Sequence, residues 1–231
     1  MISRIIRRSR IAFYWSIKTM AWPVTRIWVR LSVHGGGHVP RHGSCIVAAN
    51  HVSYVDATIL GSACPRRLTF MITQPIYSLW RLRWFYYMMG AISVAPDVPD
   101  PAAIRTALRT LHNGGAIGIF PEGQRMPGGD LGPAKAGAAL LASRTGAPVI
   151  PVAILGAYRV MPVGAIFPRP YKMSVVFGQP IRFPEHAGRA TRQQLESFAE
   201  LLMQRIAELQ TKDSHATPAG SRNSGAARPA S

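Results

Sequence analysis

Short apolar runs alternate with longer segments of helical periodicity along most of the chain. The runs at residues 45–49 and 115–120 are continuously apolar and only a few residues long, as expected of strands buried on both faces. The segments between such runs place apolar residues three and four positions apart, which indicates helices with one buried face. Strands that alternate with helices predict an α/β fold, a mixed central β-sheet flanked by helices.

The same pattern gives approximate positions for the individual elements. It predicts strands at residues 44–50, 68–72, 91–95, 115–120, 149–155, 171–177 and 181–183. It predicts helices at residues 53–60, 76–89, 101–112, 134–145 and 191–210. Pro151 lacks a backbone N–H, which predicts a bulge or an edge position for its strand. Ser53 followed by Asp56 predicts a capping box at the start of the first of these helices.

The amino-terminal 33 residues combine Arg and Lys with aromatic and aliphatic side chains and contain no acidic residue. Pro23 is expected to divide them into two helices. Because arginines attract anionic lipid and Trp and Tyr rings settle at the headgroup boundary, we expect this helical pair to lie in a membrane surface. The alternative is a helical pair packed on the domain, with its arginines solvated.

A glycine run at residues 35–37, followed by Pro40, marks a linker after these helices. We therefore divide the chain into membrane-associated helices at residues 1–33, a main domain at 34–212 and a tail at 213–231. The Ser, Ala, Pro, Gly and Arg composition of the tail predicts disorder. No stretch reaches the roughly 18 uncharged apolar residues of a membrane span, and the amino terminus does not have the pattern of a signal peptide.

The charge balance narrows the range of partners. The 231 residues include 27 Lys and Arg against 10 Asp and Glu, which is a formal net charge of +17. Such an excess implies an anionic partner: nucleic acid, an anionic lipid surface or a phosphate-rich substrate. The two cysteines, Cys45 and Cys64, are too few for a disulfide framework or a zinc site.

A histidine and a carboxylate follow the strand predicted at residues 44–50. His51 and Asp56 lie five positions apart, and Asp56 is the first acidic residue of the chain. An imidazole titrates near neutral pH and acts as a general base when a carboxylate orients its other nitrogen. The two side chains meet only if His51 lies in the turn before the helix and Asp56 in its first turn. Taken alone, the spacing is also what a surface histidine and a capping aspartate would give.

A second polar loop follows the strand predicted at residues 115–120. It contains Glu122 and Arg125, and Lys135 comes ten residues later near the start of a helix. A planar guanidinium suits phosphate, and backbone N–H groups at a helix start also favour anions. The alternative is an ordinary surface loop with a Glu–Arg ion pair. Because α/β sheets bind ligands at the carboxyl ends of their strands, we expect the two loops to form one active site.

Together the two loops resemble the motifs of a known family. Asn50-His51-x4-Asp56 and Phe120-Pro121-Glu122-Gly123-x-Arg125 are similar in order and separation to the paired motifs of the glycerolipid acyltransferases, in particular the bacterial 1-acylglycerol-3-phosphate acyltransferases. Later parts of the family pattern are resembled by Lys135-Ala136-Gly137, by residues 149–153 and by residues 176–181. The likeness spans residues 34–183, and the basic, aromatic amino terminus is similar to the membrane-seating helices of these enzymes.

The resemblance implies a glycerol-3-phosphate acyltransferase-like fold, with residues 34–212 as the acyltransferase domain. It implies transfer of a fatty acyl group from acyl-CoA or acyl carrier protein to the free hydroxyl of a lysophospholipid, most simply 1-acylglycerol-3-phosphate to give phosphatidic acid. His51 would be the general base and Asp56 would orient it, with no acyl-enzyme. Backbone N–H groups at the start of the following helix would hold the developing oxyanion.

The remaining motif residues would bind substrate in such an enzyme. Arg125 would grip the acceptor phosphate, Gly123 would let the backbone approach it, and Glu122 would order the loop. Asn50 and Lys135 complete the expected substrate-binding set. No metal is implied, and no cofactor beyond the acyl-CoA or acyl carrier protein co-substrate. We expect a peripheral or monotopic protein on the cytoplasmic face of a membrane, with anionic lipids as partners.

Other functions stay open from the sequence. The family usually has a basic residue closing a motif near residues 92–97, and none is present here. The sequence therefore allows two kinds of acceptor, 1-acylglycerol-3-phosphate or another lysolipid such as a lyso-aminolipid. A thioesterase that uses the same pair on water is a further alternative. Nucleic-acid binding is suggested by the charge alone, and because no recognised motif accompanies it, we expect no nucleic-acid partner.

Overall fold

The computed structural model describes residues 2–96, 98–126, 131–162, 165, 167–185 and 188–216. The helices are α1 (Ile2–Pro23), α2 (Asp56–Ala63), α3 (Gln74–Tyr77), α4 (Arg83–Met89), α5 (Pro101–His112), α6 (Gly137–Thr145), α7 (Ala157–Val160) and α8 (Arg192–Ala216). The strands are β1 (Ser32–His34), β2 (Cys45–Ala49), β3 (Leu68–Thr73), β4 (Ile92–Val94), β5 (Ala116–Ile119), β6 (Val149–Leu155) and β7 (Ser174–Phe177). A π-helical segment, Val24–Trp28, follows α1, and a 3-10 turn, Gly36–His38, follows β1.

One seven-stranded sheet runs through the protein in the order β1-β7-β6-β2-β5-β3-β4. Five strands, from β6 to β4, are mutually parallel, whereas β7 pairs antiparallel with β6, and β1 is parallel to β7. This is the mixed sheet predicted from the sequence. Because β2 and β5 are neighbours at the centre, the loops that follow them leave the same edge of the sheet.

The central strand β2 is buried on both faces, and its side chains alternate between two cores. Cys45, Val47 and Ala49 join the core that contains Ile59 and Leu60 of α2. Ile46 and Ala48 join the opposite core, which packs against α5, α6 and α8. This two-sided burial explains why the strand has a continuous apolar run rather than an alternating one.

Helix α1 packs against the body of the protein through a buried aromatic side chain. Tyr14 is 1% exposed, and its hydroxyl accepts a hydrogen bond from the Leu68 N–H at 3.2 Å. Burial raises the pKa of Tyr14 to about 12. Lys18 donates to the Cys64 carbonyl. One face of α1 is therefore part of the fold, which supports the packing described by the alternative interpretation of this segment.

The amino-terminal segment differs from the predicted pair of helices. The α-helix ends at Pro23 as expected, but only the π-helical segment Val24–Trp28 follows it. The chain then forms strand β1, which the sequence analysis did not predict. None of the helices among the described residues is long and apolar enough to cross a membrane.

Two predicted elements in the main domain were wrong. The single helix expected at residues 76–89 is two short helices, α3 and α4, joined by a turn. The strand expected at residues 181–183 is reduced to one bridge between Val149 and Ile181. The last helix, α8, begins one residue after its predicted start and continues to Ala216. Residues 217–231 of the predicted tail lie outside the described residues.

Pro151 lies beside a bulge. A bulge was one of the two alternatives predicted for its strand, and an edge position was the other. Val149 bridges Ile181, and Val152 pairs with Phe177 in the same antiparallel arrangement. Two residues separate these pairs on β6 and three separate them on the partner segment, so the partner carries one extra residue. The edge alternative is excluded, because β6 lies between β7 and β2.

Candidate active site

The imidazole of His51 and the carboxylate of Asp56 are in direct contact. His51 follows the carboxyl end of β2, and Asp56 is the first residue of α2. The Nδ1 atom of His51 lies 2.9 Å from Oδ2 of Asp56. Because the carboxylate accepts the Nδ1 proton, Nε2 is the ring nitrogen with a lone pair in the neutral imidazole. The structure thus places the pair as the sequence analysis required, with His51 in the turn and Asp56 in the first turn of the helix.

Asp56 is completely buried and organises the turn around itself. Its Oδ2 atom also accepts the backbone N–H groups of Val52 and Ser53, each at 2.7 Å. The carboxylate therefore fixes both the imidazole and the backbone that carries it. Asp56 therefore occupies the N–H groups of Val52 and Ser53, and the oxyanion donors expected at the start of the helix stay a prediction.

The predicted capping box is only half formed. Asp56 reaches back to the Ser53 N–H, as the third helical residue of such a box does. The Ser53 hydroxyl instead donates to the Met161 carbonyl at 3.3 Å, and Val55 occupies the cap position without a side-chain bond. Ser53 thus connects the histidine loop to the segment that follows β6.

Glu122 joins the second loop to the first. Its side chain is 3% exposed, and Oε1 accepts the backbone N–H of His51 at 3.1 Å. In return, the Met126 N–H donates to the His51 carbonyl at 2.8 Å. The two predicted loops are therefore hydrogen-bonded to each other on both sides of the histidine, and Glu122 orders them.

Burial raises the pKa of Glu122, while the N–H groups of His51 and Gly132 act in the opposite direction. The folded protein therefore holds this proton more tightly than the unfolded chain does. We expect the free energy of unfolding to fall as the pH rises from about 4.3, the ordinary pKa of a glutamate, through the raised value. Glu122→Gln keeps an oxygen for the His51 N–H and should lose this part of the pH dependence. Urea unfolding of both proteins between pH 4 and 7 checks the prediction. The same dependence of the free energy of unfolding on pH in both proteins would contradict it.

Arg125 is held by a tyrosine from the histidine loop. Its Nη2 donates to the Tyr54 hydroxyl at 2.7 Å, and its guanidinium carbon lies 3.5 Å from the centre of the Tyr54 ring. Tyr54 is one of the four residues between His51 and Asp56 that the motif leaves unspecified, and its contact with Arg125 was not predicted. The contact brings a cation to the loop that carries the histidine and restricts the directions in which its remaining donors point.

Gly123 and Lys135 also meet in this loop. Gly123 has a φ of +69°, and a Cβ atom added there would lie 2.8 Å from Cδ and Cε of Lys135. The Lys135 N–H donates to the Pro121 carbonyl at 2.8 Å. The glycine is therefore required by the left-handed backbone and by the lysine stem packed over it. The substrate contacts expected of Gly123 and Lys135 stay a prediction.

Asn50 connects the histidine loop to the neighbouring strand. Its carbonyl oxygen accepts the Ile154 N–H at 2.7 Å, and its amide donates to the Ile154 carbonyl at 3.0 Å. The residue is 1% exposed. These bonds continue the pairing of β2 with β6 beyond the end of β2. The substrate contact predicted for Asn50 stays a prediction.

The histidine ring rests on an aromatic stack that the sequence analysis missed. The rings of His51 and Phe120 are nearly parallel, 4.1 Å apart, and Phe70 lies beyond Phe120 at 6.3 Å. With Asp56 on one edge and Phe120 on one face, the imidazole has a fixed orientation. Phe120 directly follows β5 and precedes Pro121 and Glu122. Its position at the end of that strand was the signal that could have identified it as a site residue.

Comparison with known proteins agrees with this geometry. The family model described as Acyltransferase matches residues 30–155, which is more than half of the chain. The chain belongs to the Acyltransferase family. The match includes His51, Asp56, Glu122 and Arg125, and it confirms the prediction that the protein is an acyltransferase.

Two curated relatives of this acyltransferase differ in the acceptors that they are named for. The 1-acyl-sn-glycerol-3-phosphate acyltransferase of Bacillus subtilis is 29% identical over 191 residues, covering 80% of this chain and 93% of the relative. The lyso-ornithine lipid O-acyltransferase of Pseudomonas aeruginosa is 31% identical over 136 residues, covering 58% of this chain and 52% of the relative. The 1-acylglycerol-3-phosphate acyltransferases named by the sequence resemblance are thus among its relatives.

A solved structure confirms the predicted fold class. The crystal structure of the 1-acyl-sn-glycerophosphate acyltransferase PlsC from Thermotoga maritima matches with a TM-score of 0.69 and 22% sequence identity. The match covers 96% of this acyltransferase and 85% of the Thermotoga chain. It includes the seven-stranded sheet and the helices around it.

Proposed function

We propose that this acyltransferase moves a fatty acyl group from acyl-CoA or acyl carrier protein to the free hydroxyl of a lysophospholipid at a membrane surface, with 1-acylglycerol-3-phosphate as acceptor. The observation that carries the proposal is the His51–Asp56 pair, whose loop is hydrogen-bonded to the Glu122–Arg125 loop. A general base and a phosphate-binding cation then lie on two adjoining loops. The relatives named for 1-acyl-sn-glycerol-3-phosphate support this acceptor.

The reaction begins with proton transfer to Nε2 of His51. The acceptor hydroxyl loses its proton to the imidazole as its oxygen attacks the thioester carbonyl carbon. Asp56, fixed at Nδ1, stabilises the imidazolium that forms. The tetrahedral intermediate collapses with cleavage of the carbon–sulfur bond, and the thiolate takes the proton from the imidazolium. The products are the new ester and a free thiol, and no acyl-enzyme forms.

Arg125 is the cation proposed to bind the acceptor phosphate. Tyr54 takes one of its N–H donors and covers one face of the guanidinium, which leaves donors for a bidentate contact with phosphate oxygens. Lys135, with its stem over Gly123, adds positive charge beside the same loop. The acceptor is thereby bound by its phosphate while its hydroxyl is presented to His51.

Exposed apolar side chains support seating on a membrane. Met20 is 71% exposed, Ile27 78% and Trp80 81%, and Arg26 and Arg81 each lie over a neighbouring tryptophan ring. Cations beside interfacial aromatics suit the headgroup region of an anionic bilayer. The proposal therefore includes a peripheral or monotopic association of α1, the π-helical segment and the α3–α4 turn with the cytoplasmic leaflet, whose surface is negative.

A lyso-aminolipid is the second candidate acceptor. Strand β4, Ile92–Val94, contains no basic residue where the family usually has one, and a relative named for lyso-ornithine lipid aligns with more than half of the chain. An acceptor without a phosphate would need less positive charge at this position. It would still use the same histidine on its hydroxyl.

A radiolabelled acyl-CoA assay on anionic vesicles distinguishes the candidates. Purified protein would be supplied with lysophosphatidic acid, with a lyso-aminolipid, or with no acceptor, and a parallel set would use acyl carrier protein as donor. Label in phosphatidic acid supports the first proposal, and label in the aminolipid alone supports the second. Label released as free fatty acid in every arm would contradict both and indicate a thioesterase.

Arg125→Gln is expected to raise the KM for lysophosphatidic acid by about 10- to 100-fold, because a charge-assisted contact with phosphate is lost. The kcat should change less than the KM. Tyr54→Phe is the matched variant, because it keeps the ring under the guanidinium and removes only the hydroxyl, and its effect should be smaller. Steady-state kinetics over a range of acceptor concentrations check both, and an unchanged KM in Arg125→Gln would contradict phosphate binding by this residue.

A further inference from the structure

A cationic cleft lies at the edge of the sheet opposite the active site. It has a volume of about 910 Å³ and is lined at its base by Thr69, Gly115 and Ala116. These residues lie at the amino-terminal ends of β3 and β5, whereas His51 and Glu122 follow the carboxyl ends of β2 and β5. Four to five strand residues at about 3.3 Å each separate the two edges, roughly 15 Å. The cleft is therefore a different site from the catalytic one.

The cleft is lined by four arginines, Arg10, Arg41, Arg66 and Arg67. Among the described residues that line it there is no acidic side chain. Arg66 has a structural role, because its guanidinium donates to the carbonyls of Pro40, Gly43 and Gly114. Its charge nevertheless adds to the positive potential of the cleft.

Arg10 and Arg67 converge on one point of the wall. A Cβ atom added to Gly90 would lie 2.9 Å from Nη2 of Arg10 and 2.8 Å from Nη2 of Arg67. Two guanidinium groups that converge in this way repel each other, and an anion bound between them would offset that repulsion. Within the described residues, the guanidinium of Arg10 contacts the Tyr87 ring at 5.0 Å, and its buried Nε has no hydrogen-bond acceptor. Nη2 of Arg67 donates to the Met89 carbonyl at 3.3 Å, and an anionic ligand in the cleft would add an acceptor for the guanidinium of Arg10.

The rim of the cleft nearest α1 is apolar. Ile6 and Trp15 line it, and they are 39% and 43% exposed. Ile5, which is 56% exposed, extends the apolar surface along the helix. A ligand that carries both an anionic group and hydrocarbon chains would satisfy the two parts of this surface together.

We propose that this cleft binds the phosphate group of an anionic phospholipid, with the acyl chains lying along the apolar side of α1. Arg10 and Arg67 take the phosphate oxygens, and Arg41, exposed at the mouth, attracts the headgroup. The site is separate from the acceptor site at Arg125 and would hold a lipid that is not consumed. It would fix the orientation of α1 on an anionic bilayer.

The test is binding of dihexanoyl phosphatidylglycerol, below its micellar concentration, measured by calorimetry. Full-length protein carrying Arg125→Gln would be used throughout, so that the acceptor site contributes little. Arg10→Gln is expected to weaken binding about fivefold, and Arg10→Gln with Arg41→Gln about 25-fold. The matched control is Arg105→Gln, which removes the same charge from an exposed position on α5 outside the cleft. It should bind as the parent does.

Three outcomes would overturn the proposal. The first is equal binding by Arg10→Gln and Arg105→Gln when both have the thermal unfolding midpoint of the parent. The second is equally tight binding of dihexanoyl phosphatidylcholine, since the site is proposed for anionic headgroups. The third is equally tight binding of inorganic phosphate or glycerol 3-phosphate, because the acyl chains would then contribute nothing. The measurement is of binding alone, so failure of the proposed reaction would leave its result unaffected.

Discussion

Replacing His51 by alanine is expected to lower kcat for acyl transfer by about 10²- to 10⁴-fold, the range that a positioned general base contributes. Without the imidazole, the acceptor hydroxyl must lose its proton to water, and no group returns a proton to the leaving thiolate. The fold should persist, because Glu122 contacts the backbone N–H of residue 51 rather than its side chain. Single-turnover acyl transfer to lysophosphatidic acid on vesicles measures the loss.

The matched control is His112→Ala, an exposed histidine at the end of α5 that should retain full activity. Vesicle binding of His51→Ala should equal that of the parent protein, and its thermal unfolding midpoint should fall but stay above the assay temperature, because Asp56 loses one of its three hydrogen bonds. Transfer that survives in His51→Ala at more than about a tenth of the parent rate would contradict the assignment of the base.

Asp56→Asn is expected to reduce kcat by about 10⁴-fold, the order seen when an aspartate that orients a catalytic histidine loses its charge. The amide can accept the N–H groups of Val52 and Ser53, but it no longer stabilises an imidazolium. The KM for the acceptor should change little, because the carboxylate is fully buried and does not face substrate.

Stability gives a second measurement for the same residue. One carboxylate oxygen accepts three hydrogen bonds in the native protein, so Asp56→Asn should also lower the free energy of unfolding by about 1.5–3 kcal/mol. Asp56→Glu keeps the charge and tests geometry alone. If Asp56→Asn were destabilised by this amount and still transferred acyl groups at the parent rate, Asp56 would be a structural residue only.

The parts of the fold that the sequence predicted well are those specified by local pattern. Strand β2 is a short apolar run, and α5 begins after a capping aspartate, Asp100, and at a proline. Residues 76–89 were predicted poorly because nearly every position is apolar, so the pattern is the same for one helix as for two. The turn between α3 and α4 exposes Trp80, which periodicity does not indicate.

The contacts of the active site also fall into two groups, those that the local pattern predicts and those that it does not. His51 and Asp56 were predicted to meet because a strand end and a helix start lie between them in five residues. The contact of Tyr54 with Arg125 joins residues 71 positions apart, and the stack of His51 on Phe120 crosses from β2 to β5. Such contacts depend on the order of the strands, which the sequence pattern leaves undetermined.

The position of β1 affects how the amino-terminal segment can be removed. β1 forms one border of the sheet and covers β7, with Val33 opposite Val175. A shortened chain that starts after His34 would expose the N–H and carbonyl groups of β7 along that border. An unprotected strand of this kind pairs with other chains and promotes aggregation. A truncation meant to make the protein easier to handle must therefore keep Ser32–His34.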